Sequence, residues 1–354
     1  MTTTTPDSPR TLRLPAEWEP AAGVLLAWPH EGTDWAYMLD DIRRCYIDLA
    51  HAVARHAVAV IIAPDCSDAR RALADIPADR ILFCDIPTDD TWTRDYSVIT
   101  TLDAAGNPIL DDFGFNAWGG KFGHSRDNAV TAGLVSRGLL RGTVRDLNHI
   151  ILEGGSIESD GRGTILTTSH CLLTPTRNPQ FNGKADVERM LADTLGARHV
   201  LWLDHGALEG DDTDGHIDTL ARLAPDDTIL YTAATHDGTP DSQTPALEEM
   251  HRQLREMRTP AGQPYNLIEL PLPHPIYDED GLRLPATYAN FLVLNDAVLM
   301  PVYGQPRKDT LAEMTLRVAF PDHTIEKIDC RPLIRQHGSL HCATMQLLPG
   351  TLPI

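Results

Sequence analysis

The 354-residue chain has no apolar run long enough to cross a bilayer; Ala57 to Ala63 is only a strand's length. Met1 to Arg10 is polar and Thr-rich and lacks the basic-then-apolar order of a secretory signal. Residues 1–12 are therefore expected to be a disordered lead to a single domain over 13–354, working in the cytoplasm. The six cysteines (Cys45, Cys66, Cys84, Cys171, Cys330, Cys342) never fall at a Cys-x-x-Cys spacing, so reduced thiols are expected in place of a zinc site or disulfide frame. No Gly-rich phosphate loop opens a helix, which disfavours a doubly wound dinucleotide-binding sheet. Basic residues are scarce, 30 Lys plus Arg against 50 Asp plus Glu, for a net charge of −20. That field repels nucleic acid and anionic lipid and favours a cationic ligand, although solubility accounts for it equally well.

What is present is a repeat. Val24–Trp28 and Ala57–Ala63 read as buried strands around a helix over Trp35–Arg55, whose apolar residues (Met38, Ile42, Tyr46, Leu49, Val53) recur at helical spacing. Helical stretches then follow at Ser67–Ile76, Arg126–Leu140, Lys184–Leu195, Pro245–Arg258 and Lys308–Phe320. Each precedes an extended apolar segment: Arg80–Ile86, Val144–Leu152, Arg198–Leu203, Asn266–Leu272 and Thr324–Asp329. Between units lie hairpin-like pairs, such as Gly154–Ser159 with Thr164–Thr168 around Asp160-Gly161. Five strand–strand–helix–strand units predict an α/β fold closed into a five-bladed propeller about a pseudo-five-fold axis.

The segments after the units carry the chemistry. They are Asp89 to Asp95, Glu153-Gly154-Gly155, Glu209 to Asp218, Tyr277 to Asp280, and His337 to Cys342. Rotation about one axis would gather them at one end. Asp95 and Asp218 could then grip a planar guanidinium through paired hydrogen bonds. The Cys342 thiolate would attack its carbon, and His216 would protonate the departing ammonia and activate water against the S-amidino cysteine. Glu153 would orient His216, and Trp92 would stack on the cation. His216 and Asp218, two apart, would share a face of an extended strand.

Each residue has a plainer reading. A cysteine after Gly338-Ser339 is more often a small buried hydrophobe. Asp95 beside Arg94 could be a structural ion pair, Glu153 a turn carboxylate, Trp92 core, and Asp211–Asp214 a solvated loop. His216 has no second Cys or His at a ligand spacing, so no metal is expected. His170-Cys171 repeats the dipeptide His341-Cys342, leaving Cys171 as an alternative nucleophile, although its surroundings favour packing.

Taken together, Pro15-Ala16-Glu17-Trp18-Glu19-Pro20, Ala27-Trp28-Pro29-His30, Asp90-Thr91-Trp92-Thr93-Arg94-Asp95, Glu153-Gly154-Gly155-Ser156-Ile157, Asp214-Gly215-His216-Ile217-Asp218 and Leu340-His341-Cys342 make the chain resemble, nearly end to end, the agmatine deiminases and Porphyromonas-type peptidylarginine deiminases. The resemblance implies a pentein-like five-bladed α/β propeller that hydrolyses agmatine to N-carbamoylputrescine and ammonia with no metal or organic cofactor. It implies Cys342 as nucleophile, His216 as acid/base, Asp95 and Asp218 on the guanidinium and Glu153 in support. Phe115 to Lys121, with Trp118, resembles the agmatine branch. Asp212 or Asp278–Asp280 would suit the far ammonium, whereas Lys121 and Arg126 would suit a carboxylate of arginine or peptidyl-arginine. Tyr96-Ser97-Val98 replaces the family's Gly-Pro, and the Gly-rich run before His-Cys is reduced to Gly338-Ser339; both changes bear on loop shape and substrate preference. A catalytically silent propeller that binds cations or a partner protein is the reading from another class, and assembly into a homo-oligomer is compatible with either.

Overall fold

The computed structural model describes residues 12–235 and 241–354, so residues 1–11 of the expected lead lie outside the described residues. Sixteen strands among the described residues form five separate sheets. The first sheet begins with β1 (Gly23–Ala27), β2 (Val58–Ala63) and β3 (Ile81–Asp85). The next is β4 (Ile99–Leu102), β5 (Pro108–Gly114) and β6 (Thr143–Ile151), followed by β7 (Ile157–Ser159), β8 (Thr164–Thr168) and β9 (His199–Leu203). Then come β10 (Ala221–Ala224), β11 (Thr228–Thr232) and β12 (Asn266–Leu270), and last β13 (Leu292–Leu294), β14 (Ala297–Val302) and β15 (Thr324–Asp329).

In each of the last four sheets an antiparallel hairpin is joined by a parallel third strand. A parallel neighbour needs a crossover. Helices Val130–Ser136, Lys184–Leu195, Thr244–Glu256 and Pro306–Ala319 supply it. The first sheet is completed from the far end of the chain. Strand β16 (Met345–Leu347) pairs antiparallel with β1, Gly23 opposite Leu347, and so closes the ring. The fold is the expected five-bladed α/β propeller.

Local sequence explains the blades. Every residue of β2, Val-Ala-Val-Ile-Ile-Ala, is buried, as suits a strand covered on both faces. The helix Leu39–His56 buries the stripe Ile42, Tyr46, Leu49 and Val53 against it. Asp40 and Asp41 in its first turn and Arg55 and His56 in its last complement its dipole.

The structure corrects four expectations. The crossover of the first blade is Leu39–His56, between β1 and β2; Ser67–Ala72 with β3 adds a fourth, outer strand. The helix expected over 126–140 is a short 3-10 turn, Asp127–Ala129, followed by Val130–Ser136, because Gly138 takes a positive φ of 70°. Gly154–Ser156 is a 3-10 turn ahead of β7. His216 precedes another such turn, Ile217–Thr219, so it shares no extended strand with Asp218.

Candidate active site

All the candidate side chains but Trp118, which lies between β5 and β6 of one sheet, stand on segments that leave one sheet for the next. Asp95 lies on the helical turn Thr93–Tyr96 between β3 and β4. The Thr93 hydroxyl donates to the Leu25 and Ala343 carbonyls, both at 3.0 Å, tying that turn to β1 and to the Cys342 segment. Glu153 follows β6, and His216 and Asp218 lie between β9 and β10. Cys342 lies in the turn three residues ahead of β16, so closing the ring also delivers the thiol.

These groups meet around a glycine. A Cβ on Gly155 would stand 2.7 Å from His216 Nδ1, 2.8 Å from Asp95 Oδ1 and 3.0 Å from Asp218 Oδ2. The Gly155 N–H donates to Asp95 Oδ1 at 3.0 Å, and Trp118 Nε1 donates to Asp95 Oδ2 at 2.9 Å. Trp118 achieves this from a left-handed backbone, φ 53°, uncommon for a bulky residue. The Cys342 sulfur lies 3.7 Å from Asp218 Oδ2 and 3.3 Å from Asn290 Nδ2. His216 is fully buried, with Nδ1 3.6 Å from Asp95 Oδ1 and Nε2 4.0 Å from Glu153 Oε2. Neither ring nitrogen of His216, nor Asp218 Oδ1, has a hydrogen-bond partner among the described residues. Such orphaned buried polar atoms mark unused binding capacity.

A cavity of about 210 Å³ opens onto this cluster, lined by Asp34, Asp90, Trp92, Asp95, Trp118, Phe122, Asp212, Thr213, Gln336, His337, Gly338 and Cys342. Trp92 packs on Trp35, ring centroids 5.8 Å apart, and crosses Gly338 so closely that no side chain fits there. The Asp278–Asp280 loop does not line the cavity; Glu279 pairs instead with Arg335. Lys121 is held by Asp214 at 3.1 Å and by the Asp212 carbonyl, and Arg126 pairs with Asp89 at 3.7 Å. Arg94 is not Asp95's ion-pair partner: its guanidinium donates to Gln346 and to the His341 carbonyl.

Electrostatics follow from the burial. Burial raises the Asp95 carboxyl to about 6 against the pull of His216, with Asp218 and Glu153 adding to the rise. Burial alone would lower His216, but Asp95, Cys171 and Glu153 outweigh it and hold the imidazole well above its usual range. Burial, then Asp218 and Asp95, push the Cys342 thiol well above the ordinary thiol range. Cys171 also faces His216, and ligand atoms of Glu153, Cys171 and His216 lie within 4.8 Å of one another. Arg177 Nε sits 2.8 and 2.9 Å from the two Glu153 oxygens, so that carboxylate's charge is already matched and the trio suits a cation poorly. Cys171 is fully buried and does not line the cavity.

Two contributors escaped the sequence reading. Asn290 occupies the junction before β13, beyond Tyr277–Asp280; its Oδ1 accepts from the His341 N–H at 2.8 Å and the Cys342 N–H at 3.3 Å. An uncharged residue in Thr287 to Asn290 gives no signal in a single sequence. Arg177 bonds Glu153, Asp214 and the Thr213 carbonyl, binding two junctions together. Asp211, within the acidic run, caps the N–H groups of Thr213 at 3.2 Å and Gly215 at 2.7 Å, shaping the loop that presents His216.

Known proteins resemble this chain in sequence and fold. The family model for Porphyromonas-type peptidyl-arginine deiminase matches residues 13–348. The chain is 31% identical over 357 residues to an agmatine deiminase of Pseudomonas aeruginosa, covering 94% of this chain and 95% of that one. It superposes with a TM-score of 0.89, at 34% identity and 99% coverage of both chains, on a cysteine-to-serine variant of C. jejuni agmatine deiminase with substrate bound. A Porphyromonas gingivalis protein provisionally named an arginine deiminase gives a TM-score of 0.88 at 43% identity, covering 96% of this chain and 99% of its own. The chain belongs to the Porphyromonas-type peptidyl-arginine deiminase family.

Proposed function

We propose that the protein hydrolyses agmatine to N-carbamoylputrescine and ammonia through a covalent S-amidino intermediate on Cys342. The observation that carries this reading is the meeting of Asp95 Oδ1, Asp218 Oδ2 and His216 Nδ1 around Gly155, with the Cys342 sulfur 3.7 Å from the same Asp218 oxygen. Two buried carboxylates beside one thiol call for a cation, and a planar one with N–H groups on two edges answers both. Its arrival neutralises Asp95 and Asp218, removes the repulsion that keeps the Cys342 proton in place, and brings an electrophilic carbon to the sulfur. The Cys342 proton passes to solvent, to be regained when the C–S bond breaks, and the thiolate adds to that carbon. His216, protonated at rest, gives its proton to the departing amino group, and ammonia leaves. Water then takes ammonia's place, His216 removes its proton, and the second tetrahedral adduct collapses to the ureido product with the C–S bond broken. Glu153, itself fixed by Arg177, faces Nε2 at 4.0 Å and its charge favours the protonated imidazole. Trp118 keeps Asp95 aimed, and Trp92 forms a wall on which the cation stacks.

Agmatine is favoured by the cavity lining, which includes Asp34, Asp90 and Asp212 and no Lys or Arg among the described residues. The basic residues that suited an arginine carboxylate, Lys121 and Arg126, are engaged with Asp214 and Asp89. Arginine to citrulline is the second reading, supported by His337 at the cavity. No described helix is long and apolar enough to cross a membrane. One catalytic domain over 13–354, acting in the cytoplasm without nucleic acid, completes the proposal; β1–β16 pairing and the charge of −20 support it. A panel of agmatine, arginine and an Arg-terminated peptide, with product identification, tests it. N-carbamoylputrescine should dominate; equal or faster citrulline formation would reverse the substrate assignment.

A further inference from the structure

The buried polar groups continue past Asp218 to residues for which the reaction above has no use. His341 Nδ1 lies 2.8 Å from Asp218 Oδ2, and its Nε2 lies 2.7 Å from Glu17 Oε2. A carboxylate oxygen only accepts, so each ring nitrogen donates and the imidazole bridges two carboxylates, while Arg222 Nη2, 3.2 Å from Nε2, gives its own N–H to Glu17. Glu17 is fixed in turn: Oε1 accepts from the Val293 N–H at 2.7 Å and Oε2 from Arg222 Nη2 at 2.7 Å. Arg222 Nε holds Glu158 at 2.5 Å, and its Nη1 reaches the Ala289 carbonyl at 3.0 Å and the Phe291 carbonyl at 2.5 Å, on either side of Asn290. Apolar side chains would fill this space at no loss of stability, since buried ion pairs are rarely better than well-packed hydrophobes. A role in the reaction accounts for their presence.

We infer that His341 and Glu17 are positioning residues, a carboxylate–imidazole–carboxylate strut that keeps Asp218 ionised and turns one oxygen toward the Cys342 sulfur. The inference rests on the function proposed above and adds to it. Neither His341 nor Glu17 lines the cavity that Cys342 opens onto; both line a separate cavity of about 100 Å³ with Arg94, Gly154 and Glu158. The side-chain route from both to the substrate runs through Asp218. The charged and titratable groups facing Asp218 are His341, His216, Arg222 and Arg94 on the cationic side and Asp95 and Cys342 on the other. Burial alone would raise the Asp218 carboxyl, yet it lies below the usual range, and His341 makes the largest opposing contribution.

The test follows the Asp218 carboxyl by carbon-13 NMR in the unliganded enzyme, its signal assigned with Asp218→Asn, alongside pH profiles of kcat/KM. In His341→Leu the titration should move up by about one unit or more, and less in Glu17→Gln. His341→Asn, whose side-chain N–H points toward the same oxygen, should restore part of the shift. Asp95, near 6, sets the acid limb of kcat/KM, so that limb should stay in place while kcat/KM above it falls in the same order as the Asp218 titration moves. Should His341→Leu not fold, the Glu17→Gln and His341→Asn pair carries the comparison. An Asp218 that titrates alike in all variants overturns the strut. A shifted carboxyl in an enzyme that leaves agmatine untouched upholds the strut and removes the proposed substrate. Agmatine hydrolysis with an unmoved carboxyl removes only the strut.

Discussion

The Cys342 sulfur lies 3.7 Å from an Asp218 carboxylate oxygen, an arrangement that opposes thiolate formation until a cation enters. The resting thiol should therefore react sluggishly with neutral iodoacetamide at about pH 7.5. A haloacetamidine, which carries the amidinium charge, should alkylate it at least about a hundredfold faster and give one adduct by intact mass. Cys342→Ser should lose that adduct and Cys171→Ala should keep it. Equal rates with both reagents would show that no cation is needed.

Gly155 sits where a methyl group would strike His216, Asp95 and Asp218 together. Gly155→Ala should lower kcat/KM by about a hundredfold or more, because ångström displacements of reacting groups carry that cost. Its circular dichroism should match the parent. Full activity in the Gly155→Ala variant would place the reacting groups elsewhere.

Burial, with Asp34 and Asp212 adding to it, raises the Asp90 carboxyl to about 7 despite the N–H of Thr91 at 2.7 Å. As pH falls through that value Asp90 takes up a proton and its attraction for an ammonium fades. The KM for agmatine should climb between pH 8 and 6, and Asp90→Asn should flatten the trend. The stability consequence has the opposite sign. A carboxyl that binds its proton more tightly folded than unfolded loses stability for the fold as pH rises from about 4 toward 7. Asp90→Asn should therefore melt higher than the parent at pH 8 and alike at pH 4; a lower midpoint at pH 8 would contradict the assignment.

Arg222 is 1% exposed and pairs with both Glu17 and Glu158. Arg222→Met strands two buried carboxylates and should cost roughly 3–5 kcal/mol in urea unfolding. A loss under about 1 kcal/mol would mean that the carboxylates take protons without penalty.

Much of this was legible in the sequence because helix periodicity and apolar strands repeat with the blades: Lys184–Leu195 and Thr324–Asp329 fall where the pattern puts them. The first blade was misread because its first strand pairs with one more than 300 residues away, Gly23 with Leu347, and local pattern carries no record of such pairing. Charged site residues stood out as Asp, Glu or His in junction segments. Asn290 did not, since an amide in a loop is chemically unremarkable until it faces the Cys342 sulfur at 3.3 Å. Nor could sequence show that Asp278–Asp280 turns away from the cavity while Asp90 faces it.

Covalent capture is the sharpest test of the central claim. Enzyme mixed with excess agmatine, acid-quenched within milliseconds and measured by intact mass should show a species heavier by agmatine less ammonia, mapped to Cys342 and absent from Cys342→Ser. Turnover of agmatine with no such species at any quench time, or the same mass carried on Cys171, would contradict the account.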